Sequence, residues 1–154
     1  MKSVIFVCLG NICRSPLAQG IAERIIKEDL LDLKVDSAGT GDWHIGEAPC
    51  KHSIKVAAIN GVDISQQKAR QVTHEDIKSY DLVVVLDQSN YDNVKKMGAK
   101  NLVKLGHFGH NNEDVPDPFF FPGFEGFDKV YAMIESCVTQ LLKEKASVRR
   151  GKDG

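Results

Sequence analysis

Cys8 and Arg14 are separated by five residues, and Ser15 follows directly, in Cys8-Leu9-Gly10-Asn11-Ile12-Cys13-Arg14-Ser15. A thiol, a short loop and a guanidinium in this order suit the capture of a tetrahedral oxyanion. Backbone N–H groups of a tight loop, here Leu9 to Ser15, converge into an anion-binding nest. Arg14 adds a planar fork matched to two oxygens of such an anion. Gly10 and Asn11 are residue types that tolerate the left-handed backbone a curled loop requires. Helix N-termini and cationic neighbours lower the pKa of a thiol. The loop is therefore expected to hold Cys8 as a thiolate when empty and a phosphate-like dianion when occupied. That pairing implies phosphoryl transfer through a phosphocysteine. Ser15 is expected to donate a hydrogen bond to the Cys8 sulfur. The Gly-x-x-x-x-Gly-Lys-Ser/Thr pattern of nucleotide-binding loops is absent.

The elements around the loop must hold it in place. The apolar run Val4 to Cys8 reads as a strand buried on both faces, as in a parallel sheet. Pro16 begins a segment with helical spacing to about Leu31, apolar at Leu17, Ile21 and Ile25. Lys34 to Ala38 reads as a second strand and Pro49 to Asn60 as a second helix, ended by Gly61. Thr73 is expected to cap a short helix with Glu75 and Asp76 in its first turn. Asp81 to Leu86 is the third strand, with Asp87 at the carboxyl end where α/β folds place ligands. Ser89 is expected to cap a helix over residues 90–97, and Leu102 to Leu105 is the fourth strand. Prolines 116, 118 and 122 predict an irregular loop. Phe127, Val130, Tyr131, Ile134, Cys137, Val138, Leu141 and Leu142 mark the last helix. Alternating strands and helices imply one α/β domain, residues 1–147, with a doubly wound parallel sheet and helices on both faces. Residues 148–154 are expected to form a disordered tail.

Composition narrows the functional classes. A net charge of -1 over 154 residues argues against nucleic acid or an anionic membrane as partner. Met1-Lys2-Ser3 runs straight into the first strand, so no signal peptide is expected, and no apolar stretch is long enough to span a bilayer. The four cysteines do not form a secreted disulfide pattern, which implies a reduced, cytoplasmic protein. His107 and His110 lack the further ligands a metal site needs, so neither a metal nor another cofactor is expected.

Asp117, between Pro116 and Pro118 and followed by Phe119 and Phe120, is the best candidate for a carboxyl that protonates a leaving oxygen. Trp43 lies in a Gly-rich connection and is expected to wall a pocket rather than plug the core. Cys13 shares the loop with Cys8; it either forms a disulfide with Cys8 that shields the nucleophile from over-oxidation or packs as a small buried side chain under the loop. Cys50 and Cys137 read as inert.

The stretch Val7-Cys8-Leu9-Gly10-Asn11-Ile12-Cys13-Arg14-Ser15-Pro16 resembles the signature of the low-molecular-weight protein tyrosine phosphatases nearly residue for residue. Val35-Asp36-Ser37-Ala38-Gly39-Thr40, Ala69-Arg70-Gln71-Val72, Leu86-Asp87-Gln88-Ser89-Asn90 and Asp117-Pro118 are similar to later segments of that family, in order. The resemblance implies the strand order 2-1-3-4 and a metal-free, thiolate-based hydrolysis of phosphotyrosine proteins. It also implies Asp117 as general acid and then base, and Asn11 and Ser37 as supports of the loop. Ile12, Trp43, Phe119 and Phe120 would line the substrate pocket, and inorganic phosphate, the product, would inhibit by occupying the loop. Two departures stand out. Gln67 replaces the histidine often found before Lys-Ala-Arg-Gln, and Phe119 and Phe120 stand where many relatives carry tyrosines, leaving no hydroxyl there to phosphorylate.

Three other readings compete. Arginine phosphatases use the same loop but tend to carry threonine at the position of Ile12. Arsenate reductases need relay cysteines after the third strand, and residues 82–98 contain none. A phosphoprotein-binding module would not need Cys8, Arg14, Ser15 and Asp117 together.

Overall fold

The computed structural model describes residues 1–120 and 124–149, with the side chain of Phe120 outside that set. Four parallel strands form one sheet: β1 (Ser3–Cys8), β2 (Lys34–Gly39), β3 (Leu82–Val85) and β4 (Leu102–Lys104), in the order β2-β1-β3-β4. The doubly wound α/β expectation holds. α1 (Arg14–Glu28), α2 (Lys51–Ile59) and α5 (Glu125–Lys145) pack on one face. α3 (His74–Ser79) and α4 (Gln88–Lys96) cover the other. Residues 4–8 of β1 are fully buried because alternate side chains enter opposite cores. Val4, Phe6 and Cys8 join the α1/α2/α5 cluster, while Ile5 and Val7 join the α3/α4 cluster.

Local chemistry moves several expected boundaries. α1 ends at Glu28 rather than near Leu31, because Leu30 adopts φ 53° and turns the chain. The Leu31 N–H then bonds back to Ile26. α2 begins at Lys51, after Pro49 and Cys50. Asp87, not Ser89, caps α4: its carboxylate accepts the Asn90 N–H at 2.8 Å, so the helix starts at Gln88. Thr73 caps α3 as expected, and Asp76 completes a capping box. β4 gives way at Leu105 to a 3-10 turn, and a second such turn, Pro118–Phe120, interrupts the proline-rich loop expected to be irregular. Ser147 and Arg149 bond to Asp32 and Leu30, and Val148 bridges Leu31. The chain is therefore held through Arg149, and residues 150–154 of the expected tail lie outside the described residues.

Candidate active site

β1 delivers Cys8 to the carboxyl edge of the sheet, and α1 begins six residues later at Arg14. The connection is shaped largely by what holds its carbonyls. The N–H groups of Thr40 and Gly41 take the carbonyls of Cys8 and Leu9, each at 2.9 Å, and the Cys50 N–H takes that of Ile12 at 2.9 Å. The Ser53 hydroxyl donates to the Cys13 carbonyl at 3.2 Å. A trans peptide points its N–H opposite its C=O. Carbonyls tied outward therefore turn the N–H groups of Leu9, Gly10, Cys13 and Arg14 the other way. Gly39 lets this loop approach β2, since a Cβ there would lie 2.8 Å from the Leu9 carbonyl oxygen and 3.0 Å from the Asn11 nitrogen.

Asn11 alone in the loop adopts the left-handed conformation, φ 58°. Gly10 does not need it; its lack of a side chain makes room for His44, whose Cδ2 would sit 3.0 Å from a Cβ. The Asn11 amide is a hub. Nδ2 donates to Ser15 Oγ at 2.8 Å and Ser37 Oγ at 2.9 Å, and Oδ1 accepts the Arg70 N–H at 3.0 Å. Ser37 in turn donates to Gln19 at 2.5 Å. Ser15 Oγ lies 3.0 Å from Cys8 Sγ, so the expected serine–thiol contact is present. Gln67, at the position where the family often carries a histidine, donates to the Pro16 carbonyl at 3.1 Å and so braces the start of α1.

Arg14 is 6% exposed, which requires partners for its charge. Its Nη1 donates to Asp87 Oδ2 and to the Val115 carbonyl, both at 2.8 Å. These two bonds set the plane of the guanidinium.

Cys8, Leu9, Gly10, Ile12, Cys13, Arg14, Trp43, His44, Asp117 and Phe119 line one cleft of about 190 Å³. Clefts of about 430 and 550 Å³ beside Gln19, Glu23 and Lys27 are larger but contain no cysteine, so chemistry rather than volume selects the smaller one. Trp43 is 67% exposed and Phe119 61%, which places both on the rim rather than in the core. Trp43 folds over Gly41, where its ring occupies the space a side chain would need. Asp117 accepts the Phe119 N–H at 3.0 Å, fixing its carboxylate at the start of the 3-10 turn. The Phe120 side chain lies outside the described residues. His107 and His110 do not line this cleft, and the described residues contain no cluster of three or more metal-ligating side chains.

A family model described as low molecular weight phosphotyrosine protein phosphatase matches residues 3–152. The chain belongs to that family. A low molecular weight protein-tyrosine-phosphatase PtpA from Staphylococcus aureus is 37% identical over 157 residues, spanning 98% of this chain and 100% of its own. A protein tyrosine phosphatase from Entamoeba histolytica has a TM-score of 0.86 at 29% identity, covering 94% of this phosphatase and 96% of its own chain. The YwlE arginine phosphatase, as a mutant with a phosphorylated active site serine, has a TM-score of 0.84 at 24% identity, covering 92% and 94%, a likeness of fold.

Sequence reasoning missed four partners of the phosphatase loop. The sequence places Asp87 at the crevice but does not link it to Arg14. The Val115 carbonyl, the Arg70 N–H and the contact of Cys13 with Cys50 leave no mark in it. The Cys13 thiol lies 3.0 Å from the Cys50 thiol, so Cys50, read from the sequence as inert, has a thiol partner. Its place directly after Pro49 at a helix start was the available signal.

Proposed function

We propose that this family member is a protein tyrosine phosphatase that hydrolyses phosphotyrosine and small aryl phosphates through a phosphocysteine on Cys8. The observation that carries the reading is one cleft holding a thiol hydrogen-bonded to Ser15, a fixed guanidinium, a carboxylate and an aromatic rim. The loop N–H groups and Arg14 bind the phosphoryl oxygens and stabilise the charge that develops on them. The Cys8 sulfur attacks phosphorus as the bond to the phenolic oxygen breaks, and Asp117 gives that oxygen its proton. Asp117, now a carboxylate, takes a proton from water, whose oxygen attacks phosphorus and expels the Cys8 sulfur. The Ser15 hydroxyl stabilises the departing thiolate. Asn11 and Ser37 keep Ser15 and the loop in register.

Trp43, Ile12 and Phe119 sandwich an aromatic leaving group. Arg14 and the loop dipoles supply the positive charge, so the reaction needs no metal or other cofactor. The partners are phosphotyrosine-containing proteins, with inorganic phosphate as a competing product and no nucleic acid or membrane. The near-neutral charge and the four free thiols support work in the cytoplasm. Among the described residues, no helix is long and apolar enough to cross a membrane.

The test compares phosphate release from a phosphotyrosine peptide, a phosphoserine peptide and phosphoarginine, with EDTA present, for the wild-type protein and Cys8→Ser. Turnover of phosphotyrosine, lost in the variant, is the expected result. Faster release from phosphoarginine moves the assignment to an arginine phosphatase, and no release from any of the three overturns it.

A further inference from the structure

Three cysteine thiols take no part in the proposed phosphoryl chemistry. Cys137 is fully buried in α5. Cys13 and Cys50 are half-buried and touch, Sγ to Sγ at 3.0 Å, although 37 residues separate them. Both backbones at this contact are held. The Cys50 N–H donates to the Ile12 carbonyl, and Ser53 Oγ donates to the Cys13 carbonyl while lying 3.2 Å from Cys50 Sγ. Cys50 also occupies the position before α2, with extended backbone, where unpaired helix N–H groups favour an anion. The two thiols differ in protonation. The bond from the Cys13 thiol lowers Cys50 to about 6 against the opposing effect of burial, with Ser53 and His52 helping. The same shared bond, with burial, raises Cys13. The contact therefore favours the thiolate at Cys50 and the thiol at Cys13.

We infer that Cys13 and Cys50 are a reversible dithiol–disulfide pair that peroxide can close, and that Cys8 is no part of that disulfide. The chemistry balances with hydrogen peroxide as oxidant. The Cys50 thiolate attacks one peroxide oxygen; an S–O bond forms, the O–O bond breaks, and hydroxide leaves. The hydroxide takes the Cys13 proton and becomes water. The Cys13 sulfur then attacks the Cys50 sulfenic sulfur; the S–S bond forms, the S–O bond breaks, and the departing oxygen leaves as water after taking a proton from solvent. The sulfurs must approach by roughly 1 Å to reach a bonded separation. A Cys13 sulfur bonded to Cys50 cannot also bond Cys8, so this pairing excludes the Cys8–Cys13 disulfide suggested by their shared loop. Cys8 keeps its own contact with Ser15.

Trypsin separates the candidates, because residues 3–14 carry Cys8 and Cys13 on one peptide and residues 35–51 carry Cys50 on another. The reduced full chain is exposed to a small excess of hydrogen peroxide. Remaining thiols are then capped with iodoacetamide in denaturant, and the unreduced digest is mapped by mass spectrometry. The expected product joins the two peptides, carries one cap on Cys8, and is released by dithiothreitol. It persists in Cys8→Ser and vanishes in Cys50→Ser. A 3–14 peptide closed on itself with Cys50 capped overturns the inference, as does a Cys8–Cys50 link or a Cys13 and Cys50 that both remain capped. The readout needs no phosphatase activity, so it stands or falls separately from the proposed function.

Discussion

Arg14 Nη1 donates to Asp87 Oδ2 across 2.8 Å, while the other oxygen of Asp87 accepts the Asn90 N–H that starts α4. One carboxylate thus ties Arg14 to a helix on the opposite face of the sheet. Asp87→Ala leaves a buried guanidinium short of its counter-charge and uncaps α4. Loss of one partner of a buried pair destabilises by roughly 3–5 kcal/mol, which for a chain of this size lowers the melting midpoint by about 10 °C. Asp87→Asn also removes the counter-charge but keeps the capping oxygen, so it is expected to lose less than Asp87→Ala. Calorimetry on the two variants gives the order: a wild-type midpoint in Asp87→Asn would remove the ion pair from the account, and equal midpoints in the two variants would remove the cap.

Asp117 is tested through the leaving group. Asp117→Asn should reduce turnover of phenyl phosphate by roughly 10²–10⁴-fold, the range of general acid catalysis. An activated nitrophenyl ester, whose phenolate leaves unaided, should suffer less. A series of aryl phosphates of graded leaving-group pKa measures this; a loss independent of leaving group contradicts the role.

Gly39 permits the close passage of β2 beneath the loop. In Gly39→Ala the new methyl meets backbone atoms, Leu9 O and Asn11 N, which can yield only by moving the loop. Overpacking of this kind costs typically 1–3 kcal/mol. If the loop absorbs it, inorganic phosphate should inhibit about tenfold more weakly, a change of about 1.4 kcal/mol. Inhibition by phosphate at constant aryl phosphate reads this directly, and an unchanged inhibition constant would show the strain is relieved elsewhere.

The thiols should separate by pH. Cys50, lowered to about 6, is expected to be carboxymethylated with a midpoint near that value. Cys137, pushed up to about 11 by burial, should stay unmodified in the folded protein at neutral pH. Because the leading cause at Cys50 is the bond from Cys13, Cys13→Ala, which leaves no donor, should move the Cys50 midpoint upward. Rates of iodoacetate labelling between pH 5 and 9, resolved by peptide, test both statements.

Acid should weaken the platform behind Asn11. Burial alone would raise the Asp76 carboxyl, but the Arg70 guanidinium and the bonds from Thr73 overcome it and hold it below the ordinary value. A carboxylate depressed in the folded state contributes stability above its unfolded pKa of about 3.9, and that contribution is lost as pH falls through the lower folded value. Asp76→Asn should therefore be less stable than wild type at pH 7, with the gap closing below pH ~4. Urea melts at pH 7 and pH 3 decide; a gap that widens in acid reverses the sign.

The sequence was informative where chemistry is local. Cys8, Arg14 and Ser15 lie within eight consecutive residues, so a strand pattern on one side and a helix pattern on the other place them with little freedom. The last helix was legible for the same reason, since its apolar stripe repeats over consecutive turns. Boundaries failed where one residue's backbone or side chain outweighed the pattern. Leu30 turned left-handed and ended α1 early, and Asp87 reached Asn90 before Ser89 could cap. The 3-10 turn after Asp117 formed because its carboxylate holds the Phe119 N–H, a bond that three nearby prolines do not advertise.

By itself, then, the sequence determined the parallel α/β class, the Cys8–Arg14 loop between the first strand and the first helix, and the thiol proposed as its nucleophile, because these depend on near neighbours along the chain. Only the tertiary structure decided what holds the loop and what else it touches. Arg14 meets Asp87 and Val115 across 73 and 101 residues, Asn11 meets Arg70 across 59, and Cys13 meets Cys50 across 37. Side chains so far apart in the chain leave no mutual spacing to read. Their pairing follows from the order in which parallel strands assemble, which brings the carboxyl ends of β1 and β3 and the start of α2 around one buried turn.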